Sequence, residues 1–463
     1  MYLKVKEFLC KIISLAVIII LFSASLTSKA ENGISLIGDT EIEDYVSIIL
    51  SDILKVNSIE PSKVELYIVK DDSINAFVYD GLKVFVNIGL IINASSPEVL
   101  YGVLAHEVGH IKGAHLVKGS QAVKSSLVKS GLIGLTALAV GLLAPRSAGG
   151  ESLDMAQAAI MASGQVFQRS MLAYTRGQEE EADKYALDAL KKLRVSNDGL
   201  IELFSKLKII QARYAESIDK YSVTHPLTDS RIDFFVTNNK IKTEQSTALK
   251  GLKNEHCMVT AKINGFFDIK PSITAGLEFL KNERCNSYYQ IYKAIGKQDW
   301  DGALNKANLH LTRFTEDGNN TYLHETLGDI YFGSQNFTLA LKYYNLALQQ
   351  NSKSNDIVYK KYNTILALGD KKDIALLVSI LRADIHDCKR QSVKANLYQL
   401  LSIAYQKNEQ EAMSLISLAF SKFYNDNIEG AKQIYEIIKT NKNLSELEKD
   451  DFTSLENNIN PSK

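Results

Sequence analysis

The sequence predicts an α+β fold: a mostly helical domain with a small antiparallel sheet, followed by an all-α domain of repeated helix pairs. Two observations carry this. Short alternating apolar segments between residues 64 and 88 read as strands leading into a strongly amphipathic helix, and beyond residue 285 small and aromatic residues recur at helix-pair spacing. At 463 residues and 46% hydrophobic composition, the chain can bury two or three cores. Lys and Arg together number 53, as do Asp and Glu, so no global basic field points to nucleic acid.

In chain order, Lys4, Lys6 and Lys11 precede the apolar run Ile12 to Phe22, and Ser28-Lys29-Ala30 follows with small residues where a signal peptidase reads. Residues 1–30 are therefore expected to be a cleaved secretory signal, the run being shorter than the roughly 20 residues of a membrane span. Residues 31–245 read as one mixed unit. It opens with a helix around Glu41 to Val56, followed by a strand from Val64 to Val69. Phe77-Val78-Tyr79 and Leu82 to Ile88 flank Asp80-Gly81, a two-residue hairpin signal because both turn positions need positive φ. The sheet edge suits an extended polypeptide that adds as a further strand.

The next helix is announced by Ser96 as N-cap, Pro97 at the first helical position and Glu98 in the first turn. Val99, Leu100, Val103, Leu104, His110 and Ile111 recur at three- and four-residue steps, and Gly113 is placed to end the helix. Within it lies His106-Glu107-Val108-Gly109-His110. Residues four apart on a helix share a face, so His106 and His110 can offer two imidazoles to one zinc ion per chain, with Glu107 beside them. That is a metalloprotease constellation, and it needs a third protein ligand. The metzincin spacing fails: Gly113 fits, but position 116 is Leu116 and the histidine, His115, falls one residue early. In Arg176-Gly177-Gln178-Glu179-Glu180-Glu181-Ala182-Asp183, continued as a helix through Leu193, Glu179 and Asp183 share the apolar face of Ala182, Ala186, Ala189 and Leu190. Glu179 is thus expected as the third metal ligand and Asp183 as the acceptor that orients one bound imidazole. Glu180 and Glu181 turn toward solvent. His115, His256, His310, His324 and His386 lack partner spacing and read as structural or surface residues.

Gly131 to Ala144 is apolar and glycine-rich between Lys129 and Arg146. It reads as a lid near the site or a peripheral membrane contact, and is short for a span. Residues 246–284 read as a connecting segment and 285–440 as the repeat domain. There Leu327, Gly328, Tyr331, Ala340, Tyr344 and Ala347 match a tetratricopeptide repeat, Ala303 and Ala431 with Tyr435 hint at degenerate neighbours, and 441–463 reads as a polar, weakly ordered tail. Of four cysteines, Cys257, Cys285 and Cys388 remain after the signal; Cys257 and Cys285 are the closer pair, but spacing does not settle connectivity.

Val103 to His110, together with Glu179 and Asp183 as an ExxxD pair, resembles the HtpX and CAAX prenyl protease family of gluzincins, zincin-like zinc metallopeptidases. Asn75-Ala76-Phe77 and His225-Pro226 followed by Arg231 match further. The resemblance implies a zinc endopeptidase with Glu107 as catalytic base. It also implies His225 near the site as a zinc cap or transition-state contact, and a substrate-binding strand at Asn75, Ala76 and Phe77. By chemistry alone His225 is equally a loop histidine, and Arg231 a transition-state contact or a structural salt bridge. With a signal in front and repeats behind, the chain is similar to the periplasmic BepA-type members. That likeness implies unfolded or misassembled envelope polypeptides as substrates and the outer-membrane β-barrel assembly machinery as a partner of the repeats. An adaptor or chaperone with latent proteolysis, and a membrane-associated protease, stay open beside it.

Overall fold

The computed structural model describes residues 35–79, 82–115, 176–213, 225–238, 247–269, 274–314, 321–351, 354–388, 391–425, 427–440 and 444–460. The expected signal at 1–30, the Asp80-Gly81 turn and the apolar segment 131–144 lie outside them. Among the described residues, no helix is long and apolar enough to cross a membrane. The described chain divides into two compact units, residues 35–323 and 324–460.

In the first unit, strand β1 (Leu36–Ile37) leads to helix α1 (Thr40–Val56), capped by Asp39, whose carboxylate accepts from Ile42 N at 3.0 Å. Ile42, Tyr45, Val46, Ile49, Leu50 and Ile53 fall at three- and four-residue steps and form its buried face. The sheet adds β2 (Glu65–Val69), β3 (Ala76–Tyr79) and β4 (Lys83–Asn87) in the order β1-β2-β4-β3. It is mixed rather than wholly antiparallel, because β2 runs parallel to β4, Glu65 opposite Lys83 and Val69 opposite Asn87. The chain leaving β2 passes to the far edge before entering the antiparallel β3–β4 pair, so β4 returns beside β2 in the same direction. Tyr67, Phe85 and Phe77 stand directly opposite one another, and their rings stack at 4.9 Å between centroids. β3 is thereby an edge strand.

Helix α2 (Ile88–Asn93) leads into α3 (Pro97–Lys112), buried on almost every side from Pro97 to His110. Ser96 is the N-cap residue, but its hydroxyl makes no capping bond; Pro97, lacking an N–H, leaves one donor fewer to satisfy. Helices α4 (Arg176–Leu193), α5 (Asp198–Arg213) and α6 (Asp229–Thr237) complete the surroundings of α3. The stretch 246–284, read from sequence as a connector, carries α7 (Thr247–Phe267), whose Leu249, Leu252, Val259 and Ile263 enter the same core as Ile42 and Val103. His256 anchors it between Tyr45 Oη at 2.8 Å and the Ala94 carbonyl at 3.0 Å, and Lys262 pairs with Asp39 and Glu41. A Cys257–Cys285 disulfide ties α7 to α8 (Glu283–Gly296), and α9 (Trp300–Phe314) follows. The apolar positions of a segment without strand alternation or turn signals give little hint of which core they join.

The second unit is helical. Helix α10 (Thr321–Gly333) extends into it and is followed by α11 (Phe337–Gln350), where Ala340, Tyr344 and Ala347 are buried as the repeat spacing anticipates. The Tyr344 hydroxyl donates to Asp329 at 2.7 Å. Helices α12 (Asn355–Leu368), α13 (Lys371–Asp387), α14 (Gln391–Lys407), α15 (Glu411–Tyr424) and α16 (Ile428–Lys439) share one apolar core with α17 (Glu446–Ile459). The expected weakly ordered tail therefore contains a helix. Ser445 and Glu448 form a reciprocal capping box at its start, and Leu455 and Ile459 are buried, two anchors that its polar composition obscures.

Candidate metal centre

Two helices build the site. His106, Glu107 and His110 lie on α3, Glu179 and Asp183 on α4, and all five side chains are buried. The helices touch backbone to backbone at Gly109, where a Cβ would sit 2.7 Å from the Ala182 carbonyl oxygen. Only glycine admits that approach, and it brings the Glu179 carboxylate to both imidazoles: Oε2 is 3.4 Å from His106 Nε2 and Oε1 is 3.3 Å from His110 Nε2. The two Nε2 atoms are 3.1 Å apart.

His225, just ahead of α6, enters the same cluster. Its Nδ1 lies 3.3 Å from His106 Nε2 and 3.1 Å from Glu179 Oε1, and its Nε2 lies 3.4 Å from Glu107 Oε1. One donor atom from each of His106, His110, Glu179 and His225 lies within 4.8 Å of the others, a buried group able to hold a metal ion. Neither carboxylate oxygen of Glu107 makes a hydrogen bond among the described residues. A buried, unsatisfied carboxylate is costly unless a ligand completes it, so the residues present fit a metal with its water.

The orienting groups are equally specific. His106 Nδ1 lies 2.9 Å from Asp183 Oδ1, which leaves Nε2 for a metal. Arg231 clamps Asp183 through Nε at 2.6 Å and Nη2 at 2.8 Å, reaches Glu179 Oε2 through Nη1 at 2.6 Å and donates to the Pro226 carbonyl. Its guanidinium stacks over the Phe204 ring. Arg231 therefore makes a buried salt bridge with both acids.

Burial opposes a charge on His106, but Glu179 and Asp183 outweigh it and push its pKa up to about 9. His110 is pulled down to about 2, chiefly by burial. Burial raises the Glu107 carboxyl above the usual carboxylate range, against the pull of His225 and His106. For Glu179 burial acts the same way, but the three histidines prevail and hold its carboxyl well below that range.

His115 and Gly109 are parts of the site that sequence reasoning did not single out. His115 is buried against the outer nitrogen of His110, Nδ1 to Nδ1 at 3.1 Å, and is no surface residue. Its failure to fit a metal-ligand spacing hid it. Glu180 and Glu181 are exposed as expected, although Glu181 reaches back to His115 Nε2 at 3.1 Å. Asn75, Ala76 and Phe77 are buried at and just before the start of edge strand β3.

The chain is similar to a putative beta-barrel assembly-enhancing protease of Vibrio cholerae, 29% identical over 186 residues, which is 40% of this chain and 35% of that protein. It is similar to the beta-barrel assembly-enhancing protease of Escherichia coli, 24% identical over 42% of this chain and 39% of that protein. Metalloprotease LoiP of Escherichia coli is 30% identical over 37% of this chain and 60% of its own length. The chain thus spans little more than a third of the length of the two assembly-enhancing proteases. The model of peptidase family M48 matches residues 42–237, a stretch that contains every donor described above.

Proposed function

We propose that the chain is a zinc-dependent endopeptidase that acts on unfolded or misassembled polypeptides of the bacterial envelope. The observation that carries this reading is the convergence of His106, His110 and Glu179 from two helices, beside a buried Glu107 whose oxygens make no hydrogen bond among the described residues. One zinc ion there would be held by His106, His110 and Glu179, and when bound it supplies a Lewis acid that polarises a carbonyl and acidifies water. Glu107 takes the proton of the attacking water and hands it to the leaving amine. Its burial raises its proton affinity, which suits an acceptor that must later give the proton back. Asp183 keeps His106 in the tautomer that presents Nε2, and Arg231 holds both acids in place.

Substrate would add along the edge strand β3, near Asn75, Ala76 and Phe77. Main-chain pairing there tolerates many sequences, as a protease of unfolded chains requires. The helical second unit serves as a docking region for substrate or for the β-barrel assembly machinery, in keeping with what the relatives' names state of those proteins. A periplasmic location follows if residues 1–30 are a cleaved signal.

A second reading is favoured by His225. Its position within the donor set lets it cap the metal, so proteolysis would be gated, and its release would free it to steady the developing oxyanion. The experiment that tests the main reading uses Glu107→Gln. That variant should keep about one zinc per chain and lose cleavage of an unfolded substrate; cleavage at the parent rate refutes the assignment.

A further inference from the structure

The two imidazoles expected to hold the metal are steadied by different arms. His106 Nδ1 meets the carboxylate of Asp183, itself clamped by Arg231. His110 Nδ1 instead meets His115 Nδ1 at 3.1 Å, and His115 Nε2 meets Glu181 Oε2 at 3.1 Å. The rings of His110 and His115 stand 5.3 Å apart at 69°.

The chain is shaped to make that contact. After α3 the amides of Gly113, Ala114 and His115 bond back to the carbonyls of Gly109, Ile111 and His110 at 2.9–3.1 Å. Ala114 takes a left-handed φ of 52°, a conformation that disfavours a residue with a Cβ, and so the turn is held by its surroundings. The His115 ring folds over Gly113 so closely that a Cβ there would lie 2.5 Å from His115 Nε2.

The proton positions then follow by count. Glu181 as a carboxylate only accepts, so a neutral His115 carries its hydrogen on Nε2 and offers Nδ1 as an acceptor. An acceptor at that nitrogen requires the hydrogen of His110 on Nδ1, which leaves His110 Nε2 with the lone pair that a metal needs. We propose that His115 and Glu181 are positioning residues: a Glu181–His115–His110 chain fixes the tautomer and ring angle of His110, as the Arg231–Asp183 pair does for His106. The inference rests on the metal site proposed above. Glu181 is half exposed, at 50%, so this arm reaches the protein surface whereas the other is buried.

The test measures zinc affinity by competition with a chromophoric chelator, together with the thermal midpoint of the metal-free protein. His115→Ala should bind zinc about 10- to 100-fold more weakly than the parent. His115→Gln should recover most of that loss, since its amide can accept from His110 and donate to Glu181. Glu181→Ala, at a site exposed enough to leave folding intact, should weaken binding several-fold with the metal-free midpoint unchanged. Parent-like zinc affinity in His115→Ala or in Glu181→Ala overturns the inference. So does a His115→Gln variant no better than His115→Ala. A parent that binds no zinc overturns the site reading as well.

Discussion

Gly109→Ala is a one-carbon change that tests the contact on which the whole centre depends. A Cβ at this position would lie 2.7 Å from the Ala182 carbonyl oxygen and 2.9 Å from its Cα. Both are backbone atoms of α4, so no side chain can rotate away, and an ordinary contact requires the helices to part by about 0.7 Å. Metal–ligand distances tolerate only about 0.2 Å. Glu179 lies one helical turn before Ala182 on the same helix and would be carried away from His106 and His110. Overpacking of this kind costs about 1–3 kcal/mol of stability. The expected result is a lower urea midpoint for the metal-free protein, with zinc affinity reduced by one to two orders of magnitude in chelator competition. A variant with the parent's midpoint and affinity would show that the helices do not meet at this point, and the explanation for the placement of Glu179 would fail.

Arg231→Ala leaves two buried carboxylates, Asp183 and Glu179, without their cation, and should cost about 3–5 kcal/mol in denaturant unfolding. A loss under 1 kcal/mol would contradict the clamp. Burial lowers the pKa of His256 to about 4, against an ordinary value of 6.5. Its contribution to stability is therefore complete above about pH 6.5 and lost as the pH falls toward 4, because the unfolded chain binds the proton more tightly. About 2 kcal/mol should disappear between pH 7 and pH 5, and His256→Asn should flatten that slope in urea titrations. Reducing Cys257–Cys285, which closes a 28-residue separation, should cost about 3–4 kcal/mol, read as a drop in thermal midpoint under reductant. An unchanged midpoint would mean that α7 is held by its core contacts alone.

The parts of the site that obey a local period could be read from the sequence. His106 and His110 are one helical turn apart, and Glu179 with Asp183 repeats that step on a second apolar face, so burial and ligand geometry coincide. His115 follows no period, because it is placed by a left-handed residue at Ala114 rather than by helix or strand. The parallel pairing of β2 with β4 escaped for a related reason: alternation marks strands but not their partners, and a hairpin signal speaks only for the two strands it joins. Helix α7 was read as a connector since its contacts through His256 are to residues 162 and 211 positions earlier, beyond the reach of local pattern. In the second unit the burial of Ala340, Tyr344 and Ala347 was legible because each sits one turn from the next.

In the proposed centre, one carboxylate from α4 completes a metal site begun by two imidazoles of α3. The most direct measurement is the zinc content and affinity of Glu179→Gln beside the parent, with circular dichroism to confirm that both are folded. About one tightly held zinc is expected in the parent, and in the variant an affinity weaker by orders of magnitude with cleavage abolished. A folded Glu179→Gln that keeps its zinc at parental affinity would contradict it.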